Sequence, residues 1–220
     1  MANPMEDEEC RRARETMVRY QIEARGIDDR NVLLQMRAIP RHLFIPQELR
    51  RASYQDRPLP IGEGQTISQP YIVAFMTSLL ALKPTDTVLE IGTGSGYQAA
   101  ILAGIVRRVI SVERLPEIAR KAEFLLKSLG IHNVRFVTGD GTLGYPDEGP
   151  YDGIIVTAAS PDVPEPLKAQ LAEGGRLVIP VGTRDLQQLV RVTRKGTVYP
   201  QEIFGGVVFV PLLGRFGWKV

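Results

Sequence analysis

The sequence predicts an α/β protein: a doubly wound, mostly parallel sheet with antiparallel C-terminal strands, preceded by a helical extension. Three observations carry that expectation. Strand-like apolar runs alternate with helix-periodic stretches between residues 87 and 180. The first of those runs, Val88-Leu89-Glu90-Ile91, leads into Gly92-Thr93-Gly94-Ser95-Gly96 and then an alanine-rich apolar stretch. After residue 186 the strand-like runs follow one another with no helical pattern between them. Parallel neighbours need a crossover, whereas strands joined by a short turn are antiparallel.

Taken in order, residues 6–25 are charged and helix-prone, with Gly26 as the stop. A second helix starts near Asp28-Asp29, whose acids suit a helix N-terminus. It carries Val32, Leu33, Met36 and Ile39 on one face and ends before Pro40. Arg41-His42-Leu43-Phe44-Ile45-Pro46 is too apolar for a free linker and should pack on the main body. Residues 54–69, with Pro58, Pro60, Gly62 and Gly64, read as a long irregular loop, a type of segment that is usually functional. A helix over 71–82 follows, with Pro70 in its first turn and Ser68 as a candidate N-cap. Strands are expected over 87–91, 108–112, 134–138, 153–156 and 176–180, and helices over 97–105, 116–129 and 166–171. Strands over 186–193 and 197–203 flank a turn at Arg194-Lys195-Gly196, and residues 207–211 look like one more strand.

Composition narrows the function classes. With 220 residues, 44% apolar and 24% charged, the chain has ordinary globular values and is long enough for a proper core. A net charge of +2 leaves no electrostatic footprint for nucleic acid. Cys10 is the single cysteine, which excludes a disulfide framework, a cysteine zinc cluster and a CxxC redox pair within one chain; no metal is expected. No apolar run approaches the roughly 18 residues of a membrane span. The acidic start Glu6-Asp7-Glu8-Glu9 is unlike a signal peptide. A soluble, cytoplasmic monomer with no membrane partner is the expectation.

The glycine turn carries the chemistry. Three glycines at alternate positions remove Cβ atoms where a ligand would approach the backbone. The dinucleotide fingerprint is GxGxxG, but here the order is GxGxG with Tyr97 at the next position. No Gly-Lys-Ser/Thr of a P-loop follows either. Glu90 would repel a phosphate and suits an ammonium or a hydrogen-bond donor. Glu113 closes the second strand, 23 residues on, where α/β nucleotide folds hold ribose hydroxyls. Asp140, in Gly139-Asp140-Gly141, follows the third strand; it can accept from an exocyclic amine, and it is equally an Asp-Gly turn.

Those elements, with Gly174-Gly175-Arg176-Leu177-Val178-Ile179-Pro180, resemble the motif series of Rossmann-like S-adenosylmethionine-dependent methyltransferases. The stretch Leu59-Pro60-Ile61-Gly62-Glu63-Gly64-Gln65-Thr66-Ile67-Ser68-Gln69-Pro70 is similar to the upstream signature of the protein-L-isoaspartate O-methyltransferases. Gly139 to Tyr145 and Arg176 to Gly182 are similar to that family too. The resemblance implies one domain over 1–220, with helices and a substrate loop in 1–84 and a cofactor-binding core in 85–220. It further implies S-adenosylmethionine as methyl donor, bound by Gln65, Ile67, Glu90, Gly92, Thr93, Gly94, Ser95, Gly96, Glu113, Asp140 and Gly141. The acceptor would be an isoaspartyl, or more widely a D-aspartyl, carboxylate in peptides and damaged proteins, its ester then closing to a succinimide. Ser68 is marked as the active-site serine, with Thr66 assisting. The family's reversed last strand is a further expectation. Where some members have a threonine after the late Val-Pro-Leu, Leu213 stands here, and no role carries over.

A carboxylate acceptor is ionised at neutral pH and needs no general base, which agrees with a chain holding only His42 and His132. Ser68 and backbone N–H groups at the following helix N-terminus are expected to orient that carboxylate. Two other readings stand beside this one. A tRNA adenine methyltransferase shares a similar turn, but the near-neutral charge and the missing Asn/Asp-Pro-Pro-Tyr motif speak against it. A dinucleotide-dependent oxidoreductase or nucleotide-binding module is the other.

Overall fold

The computed structural model describes residues 8–219; Glu6 and Asp7 of the acidic start lie outside them. The first helix, α1 (Glu8–Thr16), continues through a π-helical turn (Met17–Ile22) and a 3₁₀ turn (Glu23–Arg25) to Gly26, at φ +88. Asp29 caps α2 (Arg30–Ala38), its carboxylate accepting from the N–H groups of Asn31 and Val32. Val32, Leu33 and Met36 are buried, while Ile39 falls one residue past the helix. Arg41, His42, Phe44 and Ile45 are buried, so this segment packs on the body as its composition requires.

The segment 54–69 is more regular than its prolines and glycines suggest. It contains a hairpin of β1 (Leu59–Gly62) and β2 (Gln65–Ile67). Glu63 (φ +51) and Gly64 (φ +67) make a two-residue turn with both central residues left-handed, which matches the twist of the flanking strands. Leu59 pairs with Ile67 and both are buried, anchoring the hairpin to the core. The next helix, α3 (Pro70–Leu80), has Gln69 rather than Ser68 at its N-cap and ends at Ala81, φ +48.

Beyond it come β3 (Thr87–Ile91), α4 (Tyr97–Ala103), β4 (Arg108–Glu113), α5 (Pro116–Ser128), β5 (Val134–Thr138), β6 (Tyr151–Val156), α6 (Glu165–Ala169), β7 (Leu171–Gly182), β8 (Gln187–Thr193) and β9 (Gln201–Val207). Their order in the sheet is β5-β4-β3-β6-β7-β8-β9. The first five in that order are parallel, β8 runs against β7, and β9 against β8. The fold is therefore the expected mixed α/β sheet with antiparallel C-terminal pairing. In detail, the reversed strand is β8 and not the last one. Residues 207–211 add no further strand: Ala159 takes Val210 O at 2.8 Å and offers its own carbonyl to Leu212, pulling this run over the sheet's end.

One buried cluster joins the N-terminal Met17, Ile22 and Met36 to Ala100, Val88 and Val178; the other, on the opposite face, holds Leu89, Ile154, Leu167 and Ile179. Strand order reverses between β3 and β6, and in open α/β sheets ligands bind at such a switch point, beyond the carboxyl ends of the strands. Among the described residues no helix is long and apolar enough to cross a membrane.

Candidate active site

A cleft, partly open to solvent, lies at that switch point. Its floor comes from the ends of β3, β4 and β6 (Ile91, Val112, Glu113, Thr157, Ala158), and its walls from the hairpin and the C-terminal segment. Gln65, Thr66, Ile67, Ser68, Gly92, Thr93, Gly94, Ser95, Glu113 and Gly141 all line it. Glu90, Gly96 and Asp140 are not among the lining residues.

Each glycine of the turn has its own reason. All three have positive φ: Gly92 +92, Gly94 +51 and Gly96 +85. A Cβ on Gly92 would lie 2.5 Å from Thr157 Oγ1, and one on Gly96 would lie 2.8 Å from Leu126 Cδ1 of α5. Those two glycines serve packing within the protein. Gly94 alone has nothing nearer than Ile61 Cδ1 at 3.8 Å, so its backbone is the open part of the cradle. Thr157 clamps the turn from the neighbouring strand, its hydroxyl donating to Gly92 O at 2.6 Å.

The acids are placed differently from one another. Glu113 accepts from Gly94 N–H at 3.1 Å and from Leu115 N–H at 3.0 Å, fixing the turn against the end of β4. Glu90 is fully buried; Ser111 Oγ donates to its Oε2, while its Oε1 has no hydrogen-bond partner among the described residues. Thr93 Oγ1 lies 2.6 Å from Ser111 Oγ, extending the network to the turn. Burial pushes the Glu90 carboxyl up to about 8; the Ser111 hydrogen bond opposes this and the Glu113 charge adds to it. Asp140 is occupied locally. Its Oδ1 accepts from Thr142 N–H (2.9 Å) and Thr142 Oγ1 (2.7 Å), and its Oδ2 from Arg215 N–H at 2.8 Å. Burial raises that carboxyl, but these hydrogen bonds outweigh it and hold Asp140 below its ordinary value. Its neighbour Gly141 is the part that reaches the cleft.

Ser68 and Thr66 also line a second, apolar groove with Pro58, Ile72, Leu186, Val207 and Phe209. At the helix N-terminus expected to serve as an anion site, one N–H is already engaged: Tyr71 N–H donates to Asp56 Oδ1 at 3.2 Å. Two sets of lining residues escaped the sequence reading. Thr157 and Ala158 follow β6, and the switch-point rule would have singled them out. Val210 and Pro211 fall in the strand expected over 207–211, and Leu213, to which no role was carried, lines the cleft. His42 packs internally with Nδ1 2.7 Å from Tyr54 Oη, and neither histidine lines the cleft.

Comparison with known proteins gives the family. The family model for protein-L-isoaspartate(D-aspartate) O-methyltransferase matches residues 12–217. Curated relatives named protein-L-isoaspartate O-methyltransferase include one from Methanoculleus marisnigri, 61% identical with 98% of each chain covered. Another, from Dictyoglomus thermophilum, is 56% identical with 88% of each covered. A solved protein-L-isoaspartate O-methyltransferase superposes with a TM-score of 0.82 at 31% identity, covering 93% of this chain and 67% of that one. One from Plasmodium falciparum, solved in complex with S-adenosyl-L-homocysteine, gives 0.79 at 27% identity, covering 91% and 98%. A chain whose fold and sequence match across nearly its full length leaves one conclusion: it belongs to the protein-L-isoaspartate(D-aspartate) O-methyltransferase family.

Proposed function

We infer that the protein transfers a methyl group from S-adenosylmethionine to the free carboxylate of L-isoaspartyl residues in peptides and damaged proteins. Family membership supports the activity. The observation that carries the site reading is that residues 65–68 and the glycine turn, more than twenty residues apart in sequence, line one cleft.

The residues present fit the methyl donor. Glu90 Oε1 is a buried polar atom with no partner among the described residues, beneath the turn, where it can hydrogen-bond to the backbone that cradles the ligand. Glu113 uses one lone pair of each oxygen on backbone N–H groups, leaving others for hydroxyls. Ile91, Val112, Leu115 and Leu212 supply apolar walls for a flat heterocycle. We assign Glu90, Gly92, Thr93, Gly94, Ser95 and Gly96 to the amino-acid end and Glu113 to the ribose. Asp140 and Gly141 belong to the adenine side, with Gln65 and Ile67 closing the cleft from the hairpin. When bound, S-adenosylmethionine supplies a methyl group made electrophilic by its sulfonium.

The chain's own contribution is placement. The acceptor carboxylate is ionised at neutral pH, so no side chain has to remove a proton. Ser68 Oγ, which has no hydrogen-bond partner among the described residues, and Thr66 sit where the cleft meets the apolar groove. We assign them to hold the carboxylate for in-line attack, a proximity effect. D-aspartyl acceptance, a cytoplasmic location and a monomeric protein without nucleic-acid partners complete the proposal. The net charge of +2 supports the absence of nucleic-acid partners. Two measurements test the ligand and acceptor classes. S-adenosylhomocysteine should raise the melting temperature and NAD should not, since only a ligand that binds the native state stabilises it. Methyl transfer to tRNA in place of isoaspartyl peptide would overturn the acceptor assignment.

A further inference from the structure

Ser68 lies at a junction with little support of its own. The strand β2 ends at Ile67, Gln69 caps α3 without any side-chain bond to that helix, and Pro70 has no N–H to give. What fixes the junction is Asp56, twelve residues upstream of Ser68. Its Oδ1 accepts from Tyr71 N–H at 3.2 Å, and its Oδ2 from Gln69 Nε2 at 2.7 Å. Gln69 Nε2 also donates to the Asp56 carbonyl at 3.1 Å. The third donor to the carboxylate is Arg25 Nη1, at 2.7 Å, from the turn that ends the N-terminal helix. That guanidinium also covers the Tyr71 ring, 3.4 Å from its centroid. Buried Arg41 steadies the loop from below, donating through Nε to Ser53 O at 2.8 Å.

An exposed ion pair by itself contributes little. This one is different in kind, because its carboxylate is 23% exposed and collects three donors from two separate segments. Two of those donors, Gln69 and Tyr71, lie one and three residues after Ser68. The same carboxylate takes the Tyr71 N–H at the N-terminus of α3, which leaves one donor fewer for a substrate carboxylate there. Orientation of the acceptor then depends the more on the aim of Ser68 Oγ.

We propose that Asp56 is a positioning residue for the methyl-acceptor site. Bridged by Arg25 to the N-terminal segment, it fixes the backbone of residues 68–71 and hence the direction of the Ser68 hydroxyl. The proposal rests on the reading that Ser68 faces the acceptor. Asp56→Asn, Arg25→Met and the double variant test it in the full-length protein. In Asp56→Asn, kcat for an isoaspartyl peptide should fall about tenfold or more, because small misplacements cost that much, while S-adenosylhomocysteine affinity stays within about twofold. Arg25→Met should show a smaller loss. The double variant should be no worse than Asp56→Asn, as residues acting through one contact are not additive. Hydrogen exchange should quicken in peptides covering 68–72 and stay unchanged in those covering 88–96. Unchanged exchange at 68–72 overturns the proposal, as does faster exchange with unchanged kcat. So does a loss of turnover matched by a loss of S-adenosylhomocysteine binding, which would make Asp56 a general stability residue. Should the wild-type protein fail to methylate isoaspartyl peptide, the functional reading falls, while the exchange comparison still decides the latch.

Discussion

Residues near the cleft differ in how far their partners lie along the chain, and that decides how much of each could be read from sequence. Glu113 was legible because strand, acid and turn recur at fixed spacing, and the structure sets its carboxylate against Gly94 N–H. The clamp by Thr157 was not legible: it acts on Gly92 O from a strand 65 residues away. Asp140 admitted two readings because its main partner, Arg215 N–H, lies 75 residues on. Ser68→Ala removes only a hydroxyl at the cleft's edge. It should lower kcat on isoaspartyl peptide by about tenfold or more while leaving S-adenosylhomocysteine affinity within about twofold; titration calorimetry beside initial rates reads both, and unchanged turnover would remove Ser68 from the mechanism. Glu90 gives a pH prediction. Its folded value, about 8, exceeds its ordinary 4.5, so its stabilising contribution is complete below about 4.5 and is lost as pH rises through about 8. Without ligand, the melting temperature of wild type minus that of Glu90→Gln should therefore fall steadily from pH 5 to pH 8.5. A flat difference would mean that Glu90 is ionised throughout.

At the scale of elements, the pattern recovered the helices and parallel strands to within a few residues, because each helix buries one continuous face and the central strands are buried on both. The hairpin of β1 and β2 was missed for a physical reason. Pro60, Gly62 and Gly64 depress strand propensity, and what stabilises the pair is burial of Leu59 and Ile67 against the core. Its turn places Glu63 at φ +51, a region where a side chain without a short hydrogen-bonding group is strained. Glu63→Asn should relieve roughly 1 kcal/mol of that strain. In a domain of this size the gain corresponds to about 2–4 °C in melting temperature, readable by calorimetry. A fall in melting temperature would show that Glu63 stabilises the turn by other contacts.

The whole molecule shows what pattern alone can and cannot settle. Alternating strands and helices dictated a parallel sheet, and the absence of helices after β7 dictated antiparallel pairing at the end. Which of those final strands sits outermost, and that residues 208–211 leave the sheet so that Val210 and Pro211 wall the cleft, are decided by tertiary hydrogen bonds such as Ala159 to Val210. The cleft brings the glycine turn and the hairpin together, joining a donor side and an acceptor side that no single motif reports. The central claim is that the acceptor is the isoaspartyl carboxylate. Its most direct test offers the protein S-adenosylmethionine with a labelled methyl group and two peptides, identical except for one isoaspartyl or aspartyl linkage. The account predicts base-labile methyl ester on the isoaspartyl peptide and only background on its aspartyl twin; equal labelling of both, or of neither, would contradict it.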